Sequence, residues 1–187
     1  MARGRTLVIA IGVGIFVIGL AVAGERLALT HKVIPPSRPL SDSPWAGAIA
    51  RIDRALAARD VSGAELAWNE AYNVALGSPR WDGMIEVGDA SARIGAASYS
   101  GDAAVARARQ AYLIALFRAR EAGSLEGVLR AGEVFEKLGD HEVAEVAAQM
   151  AGRLASQSED VQARARVYAF AARLGPSALG AAGLRSP

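Results

Sequence analysis

After residue 43, signals that begin and end helices recur at short intervals, and they restrict this part of the chain to a helical fold. Ser43-Pro44 and Ser78-Pro79 each pair an N-cap residue with a proline at the first helical position. Further N-cap candidates are Asp60, Asp102, Ser124, Asp140 and Ser158, and glycines placed to end helices are Gly95, Gly123, Gly139 and Gly175. Together these signals predict seven helices, at 45–58, 61–76, 79–94, 102–122, 125–138, 141–155 and 159–174. No stretch of this region alternates apolar and polar residues over the length of a strand, so we predict an all-α body.

Alanine accounts for 41 of the 187 residues, and its distribution indicates how the predicted helices pack. In the fifth helix, Leu125, Val128 and Leu129 begin an apolar stripe with the spacing of one helix face. Alanines fill many of the positions between such residues. Small side chains at facing positions let helices approach closely and leave no room for a cofactor-sized cavity. The pattern favours antiparallel helix pairs stacked side by side.

The predicted helix pairs repeat with a period of about 34–44 residues, a spacing typical of repeat architectures. The clearest unit is residues 125–155. Its characteristic positions are, in order, Gly132, Phe135, Gly139-Asp140, Ala144 and Ala151. In this pattern the unit resembles the tetratricopeptide repeat (TPR) family, although Ala148 stands where that family usually has an aromatic residue.

The other units match this pattern less closely. A weaker unit spans residues 45–76, with Asp60 at its turn and Trp68 in its second helix. The middle unit departs from the pattern through an insertion at residues 96–101. The predicted helix at 159–174 has a polar face suited to capping a stack. The resemblance covers about 130 residues and implies a TPR-like α-solenoid of about seven antiparallel helices.

In TPR-like stacks the first helix of each pair lines a concave groove, so the resemblance implies a partner-binding groove on this face. Six acidic residues face two basic ones there, which favours a basic or mixed peptide segment of another protein. The alternative is a solvated face with local i, i+4 pairs, Glu126–Arg130 and Glu133–Lys137. The candidate groove residues are Asp53, Asp82, Ile85, Asp89, Arg93, Glu126, Leu129, Glu133, Glu136 and Lys137.

Two further groups of residues are candidates for binding. On the long fourth helix, arginines recur every eleven residues in two rows, which form either a second interface or a solvated face. These arginines are Arg107 with Arg118 and Arg109 with Arg120. Trp45 and Trp81 each stand at the start of the first helix of a pair, where they either staple the repeat or anchor a partner. Trp68 has the spacing of a core residue.

The N-terminal segment has the pattern of a membrane signal. Residues Leu7–Ala23 carry no charge and no strong hydrogen-bonding side chain, and Thr6 and Gly24 extend the uncharged run to 19 residues. As a helix this run is close to the ~30 Å thickness of a bilayer core. Arg3 and Arg5 precede it, so the positive-inside rule predicts a single transmembrane helix over residues 1–24 with a cytoplasmic N-terminus. The C-terminal domain would then lie in the periplasm, attached to the bacterial inner membrane.

The competing interpretation of the same segment is a cleaved secretory signal. Ala21-Val22-Ala23 has the form of a cleavage site, and cleavage near Ala23 would release a periplasmic or secreted protein. Residues 25–44 follow as a linker, because Pro35, Pro36, Pro39 and Pro44 prevent a helix there. Residues 175–187 are predicted to be a flexible C-terminal tail, which leaves 45–174 as the helical domain.

The composition argues against several functional classes. There is no cysteine, which excludes disulfides, thiol nucleophiles and a lipoprotein anchor. The two histidines, His31 and His141, are distant in sequence, and we found no catalytic or phosphate-binding motif. Residues 1–40 carry a charge balance of +4 and the remaining 147 residues one of −2, which argues against nucleic-acid binding. We therefore predict no enzymatic activity, cofactor, metal or small-molecule substrate.

The sequence thus favours a membrane-anchored protein–protein interaction module. Such a chain would serve as a scaffold, assembly factor or accessory subunit of a bacterial envelope membrane complex, with other proteins as its partners. The alternative, if the N-terminal segment is cleaved, is a secreted helical protein that binds a solute or a peptide.

Overall fold

The computed structural model describes residues 43–98 and 101–184. This part of the chain is entirely helical, and no strand is found within it, so the all-α prediction is confirmed. The helices are α1 (Ala46–Ala57), α2 (Val61–Leu76), α3 (Asp82–Ala97), α4 (Gly101–Glu121), α5 (Leu125–Lys137), α6 (His141–Ser156), α7 (Val161–Leu174) and α8 (Pro176–Ala181). None of these helices is long and apolar enough to cross a membrane. The predicted transmembrane helix over Leu7–Ala23 and the linker up to residue 42 lie outside the described residues.

Local capping explains several of the helix boundaries, although Asp140, a predicted N-cap of α6, makes no capping hydrogen bond and pairs with Arg109 instead. The Asp60 carboxylate accepts a hydrogen bond of 2.8 Å from the backbone N–H of Gly63, and the Ser124 hydroxyl accepts one of 3.1 Å from that of Gly127. These bonds satisfy backbone donors that a helix leaves free at its N-terminus. Gly139 ends α5 with a φ of +77°, a left-handed conformation that glycine adopts without steric cost.

Several boundaries differ from the sequence prediction. Helix α1 begins at Ala46, so Pro44 lies in the turn before it. Helix α4 begins at Gly101, which places Asp102 inside the helix, and α7 is capped by Asp160 and not by Ser158.

Further differences concern α3 and the C-terminal tail. Helix α3 begins at Asp82 and ends at Ala97, so Pro79 lies in the preceding turn and Gly95 lies inside the helix. Gly95 is buried because α4 approaches it closely: a Cβ there would lie 2.8 Å from the Cβ of Ala104. The start of the predicted tail is instead helix α8, which packs on α6 and α7 and buries Ala178.

The helices form successive hairpins within one compact unit. Each helix packs on the next along the chain, and in addition α1 packs on α3, α5 on α7, and α6 on α8. Alanine contributes 21 of the 37 buried hydrophobic residues that the structure describes, as its abundance predicted. Glycine allows the closest approaches: a Cβ on Gly88 would lie 2.3 Å from the Tyr112 ring, and one on Gly132 would lie 2.6 Å from Phe170.

Candidate functional site

A cleft of about 460 Å³ lies along α3, α5 and the adjoining side of α7. The partly exposed ring of Trp81 supplies most of its apolar surface, and Ile85 and Leu129, each 5% exposed, close its base. Five carboxylates and two guanidinium groups surround this apolar surface, so the lining is predominantly acidic. These charged residues are Asp82, Glu86, Asp89, Glu126, Glu133, Arg130 and Arg166.

Six of the ten predicted groove residues line this cleft. They are Asp82, Ile85, Asp89, Glu126, Leu129 and Glu133. Of the other four, Asp53 and Arg93 form an ion pair of 3.0 Å that joins α1 to α3. Glu136 accepts hydrogen bonds from Arg173 on α7, and Lys137 is exposed at the end of α5.

The sequence-based groove omitted four residues that line the cleft. Glu86 and Arg130 each follow a predicted groove residue by four positions, and this i+4 spacing places them on the same helix face. Trp81 was a candidate partner anchor, and it contributes to the cleft from the turn before α3. Arg166 belongs to the polar face of α7, which sequence reasoning assigned to capping alone.

Ion pairs within the protein neutralise part of this charge. The Arg80 guanidinium contacts both oxygens of Asp82, with a bond of 3.0 Å from Nε to Oδ1. Arg130 lies 3.3 Å from Asp89 Oδ2, and Arg173 lies 3.8 Å from Glu133. The predicted local pairs Glu126–Arg130 and Glu133–Lys137 are therefore absent from the described structure: Arg130 and Glu133 pair with residues of other helices instead.

Two cleft carboxylates, Glu86 and Glu126, form no ion pair among the described residues, although the charge of Arg80 acts on Glu86 from nearby. Glu126 is exposed and forms no ion pair there. Glu86 is half-buried and accepts a hydrogen bond of 2.9 Å from the Trp45 indole N–H. Burial raises the pKa of Glu86 above its usual range, the Trp45 hydrogen bond opposes that shift, and the nearby charge of Asp82 adds to it.

The tryptophans divide between core and cleft. Trp45 is fully buried, and its indole lies against Gly83, where a Cβ would be only 2.8 Å from the ring. Trp45 therefore staples α1 to α3 and offers no surface to a partner. Trp68 is 5% exposed, as its core spacing predicted, and donates a hydrogen bond of 2.9 Å to the carbonyl of Val87.

The two predicted basic rows on α4 point to different neighbours. Arg107 lies 3.2 Å from Glu65, and Arg118 donates to the carbonyls of Ala75 and Leu76, so this row binds α2. Arg109 forms a paired contact with Asp140 at the start of α6. Arg120 stacks over the ring of Phe117 on its own helix. Three of the four arginines thus connect helices, and the rows do not form a continuous basic surface.

A second cleft, of about 400 Å³, lies between α1 and α2. Arg51, Arg54 and Leu66 line it, and Arg51 forms an ion pair with Glu70 across it. It contains none of the predicted groove residues. We therefore place the candidate site in the cleft along α3 and α5.

Within residues 43–98 and 101–184, no group of three or more histidine, aspartate or glutamate side chains is placed to hold a metal ion. No protein-family model, curated protein or solved structure matches the chain.

Proposed function

We propose that this chain is a membrane-anchored protein–protein interaction module that binds a basic segment of another protein in the cleft along α3 and α5. Its proposed role is that of a scaffold, assembly factor or accessory subunit of a bacterial envelope membrane complex. The proposal assigns it a binding role and no enzymatic activity.

The observation that carries the proposal is the lining of the cleft. Ile85 and Leu129 supply apolar area at its base, and acids outnumber basic residues around it by five to two. A groove of this kind suits an extended or helical segment whose apolar residues enter the cleft while its basic residues meet the carboxylates. Because Glu86 and Glu126 form no ion pair among the described residues, a cationic ligand group can pair with them there.

Contacts between alternate helices support a TPR-like arrangement. Helix α1 packs on α3 and α5 packs on α7, as first helices of successive units do in such a stack, and the cleft is formed by α3, α5 and α7. A concave groove in a TPR-like stack is lined by the same helices. Gly132, at the small position of the best-matching repeat, lies where a Cβ would be 2.6 Å from Phe170 and 3.0 Å from Ala147.

The membrane attachment rests on the sequence of residues 7–23. An anchor followed by a proline-rich spacer would hold the helical unit near the membrane and raise its effective concentration toward one class of partner. If the segment is cleaved near Ala23 instead, the same cleft would serve a secreted peptide-binding protein.

Mass spectrometry of the mature protein from fractionated cells tests the anchor. The proposal expects the intact N-terminus in the membrane fraction, and deletion of residues 7–23 should move the protein out of that fraction. A mature chain that begins near residue 24 and fractionates with soluble proteins would support the secreted alternative.

A further inference from the structure

Each of the two core tryptophans is paired with an arginine, and each of those arginines is paired with a carboxylate. The Arg80 guanidinium lies 5.2 Å from the centre of the Trp45 ring and binds Asp82. The Arg107 guanidinium lies 5.0 Å from the centre of the Trp68 ring and binds Glu65. Stacking over an indole and pairing with a carboxylate use different parts of a guanidinium, its flat face and its N–H edge.

Trp81 is the tryptophan that faces the cleft. No arginine of the described residues stacks over its ring. The ring is partly exposed, and its Nε1–H has no hydrogen-bond partner among the described residues. The carboxylates, by contrast, are present: Glu86 and Glu126 line the same cleft and form no ion pair in the described structure.

Gly127 fixes the position of the Trp81 ring. A Cβ on Gly127 would lie 2.7 Å from ring atoms of Trp81 and 2.7 Å from the Cβ of Ala119. Since residue 127 has no side chain, the indole packs directly on the first turn of α5, next to Glu126. The ring is thus supported on its α5 side and contributes to the cleft wall.

We infer that Trp81, Glu86 and Glu126 form a subsite for the guanidinium group of an arginine in the bound segment. This inference rests on the proposed function and names the residue type that the cleft selects. An arginine satisfies both parts of the subsite, since its face stacks on the indole while its edge donates to the carboxylates. A lysine ammonium lacks the planar face, and citrulline has a similar shape but no charge.

The test uses the full chain in lipid nanodiscs, uniformly labelled with ¹⁵N, so that the tryptophan indole signals and the backbone amide signals are both observed. Three short peptides are titrated: acetyl-GLRLG-amide and its lysine and citrulline counterparts. We expect the arginine peptide to shift the indole signal of Trp81 and leave those of Trp45 and Trp68 in place. We also expect it to bind at least about fivefold more tightly than the citrulline peptide.

Variants separate the subsite from the rest of the cleft. Glu126→Gln changes an exposed side chain and should weaken arginine-peptide binding about fivefold, and Trp81→Leu should do the same. Glu121→Gln, an exposed residue at the end of α4, is the matched control and should leave binding unchanged. Equal binding of the arginine and citrulline peptides, or no effect of Glu126→Gln, would overturn the inference.

The same titration distinguishes this inference from the proposed function. A peptide that shifts backbone signals of Ile85 and Leu129 but not the Trp81 indole would refute the arginine subsite and leave cleft binding intact. If cross-linking shows that the natural partner does not enter the cleft at all, the proposed function fails whatever the peptides do.

Discussion

The phenol of Tyr112 on α4 donates a hydrogen bond of 2.8 Å to Asp89 Oδ1 on α3. The other oxygen of Asp89 accepts from Arg130 on α5 at 3.3 Å, so one carboxylate connects three helices beside the cleft. Tyr112 is buried, and burial together with the charge of Asp89 raises the pKa of its phenol well above the usual range. Tyr112 therefore acts as a neutral hydrogen-bond donor to Asp89 at neutral pH.

Tyr112→Phe removes this donor and leaves the ring in place. We expect the free energy of unfolding to fall by about 1 kcal/mol, the usual net value of such a hydrogen bond. Urea denaturation measures the change. Tyr72→Phe is the matched control, because Tyr72 stacks on Trp68 and its hydroxyl has no hydrogen-bond partner in the described residues. Equal losses in the two variants would contradict the role given to the Tyr112–Asp89 bond.

Gly88→Ala tests the close approach of α3 and α4. Its Cβ would lie 2.3 Å from the Tyr112 ring, so the helices must separate or the ring must move. We expect a loss of about 1–3 kcal/mol, as for other overpacked core positions. Gly47→Ala in α1 is the control, since its nearest neighbour lies 3.9 Å away, and it should stabilise the fold by up to about 1 kcal/mol. In thermal unfolding, Gly88→Ala should lower the midpoint temperature and Gly47→Ala should raise it.

Arg118→Ala should destabilise the fold more than Arg120→Ala does. Arg118 donates bonds of 2.9 and 2.8 Å to the last carbonyls of α2, whereas Arg120 only stacks on Phe117. Hydrogen bonds from a charged donor contribute about 1.5–3 kcal/mol, and an exposed arginine contributes less than about 1 kcal/mol. Chemical denaturation provides the comparison. If both substitutions lowered the free energy of unfolding by the same small amount, Arg118 would contribute no more than a solvent-exposed arginine does, which would contradict its assigned role in joining α4 to α2.

Glu86→Gln should stabilise the protein at neutral pH by an amount on the order of 0.5 kcal/mol. The amide keeps an oxygen to accept from Trp45 and removes the half-buried charge. The pKa of Glu86 is raised above 4.5 in the folded state, so the folded protein holds the Glu86 proton up to a higher pH than the unfolded chain does. The free energy of unfolding of the wild type therefore falls as pH rises from the unfolded-state pKa to the folded-state pKa. The advantage of Glu86→Gln should therefore shrink as pH falls and be absent below about pH 4.5.

Denaturation curves at several pH values between 4 and 8 measure this difference. Glu121→Gln reports the general effect of removing one exposed negative charge. An advantage of Glu86→Gln that grows toward low pH would contradict the assignment of the raised pKa.

The sequence was sufficient for features that depend on local chemistry. Asp60 and Ser124 were identifiable as N-caps because their hydrogen bonds close within three residues. Gly139 was identifiable as a helix end because a left-handed residue favours glycine. The resemblance to the TPR family implied that Asp82 and Asp89 face a groove, and both line the cleft.

Features that depend on distant contacts could not be predicted in this way. A glycine in the sequence is compatible both with a helix end and with a helix interior where another helix packs closely. At Gly95 the close approach of Ala104, which belongs to the next helix, determines that the glycine lies in a helix interior. Arg118 looked like a surface residue because its acceptors on α2 lie more than forty positions away. The same applies to Glu86, whose partner Trp45 belongs to α1.

Site-specific photo-cross-linking in native membranes tests the central claim, that the cleft binds a basic segment of a membrane-complex protein. A photoreactive residue replaces Glu133, a partly exposed residue of the cleft, or, as a control, Gln110 on the exposed side of α4. We expect the probe at position 133 to capture one protein, through a segment that contains arginine, and Glu126→Lys to abolish the product. Identical products from both positions, or a captured segment without basic residues, would contradict the account.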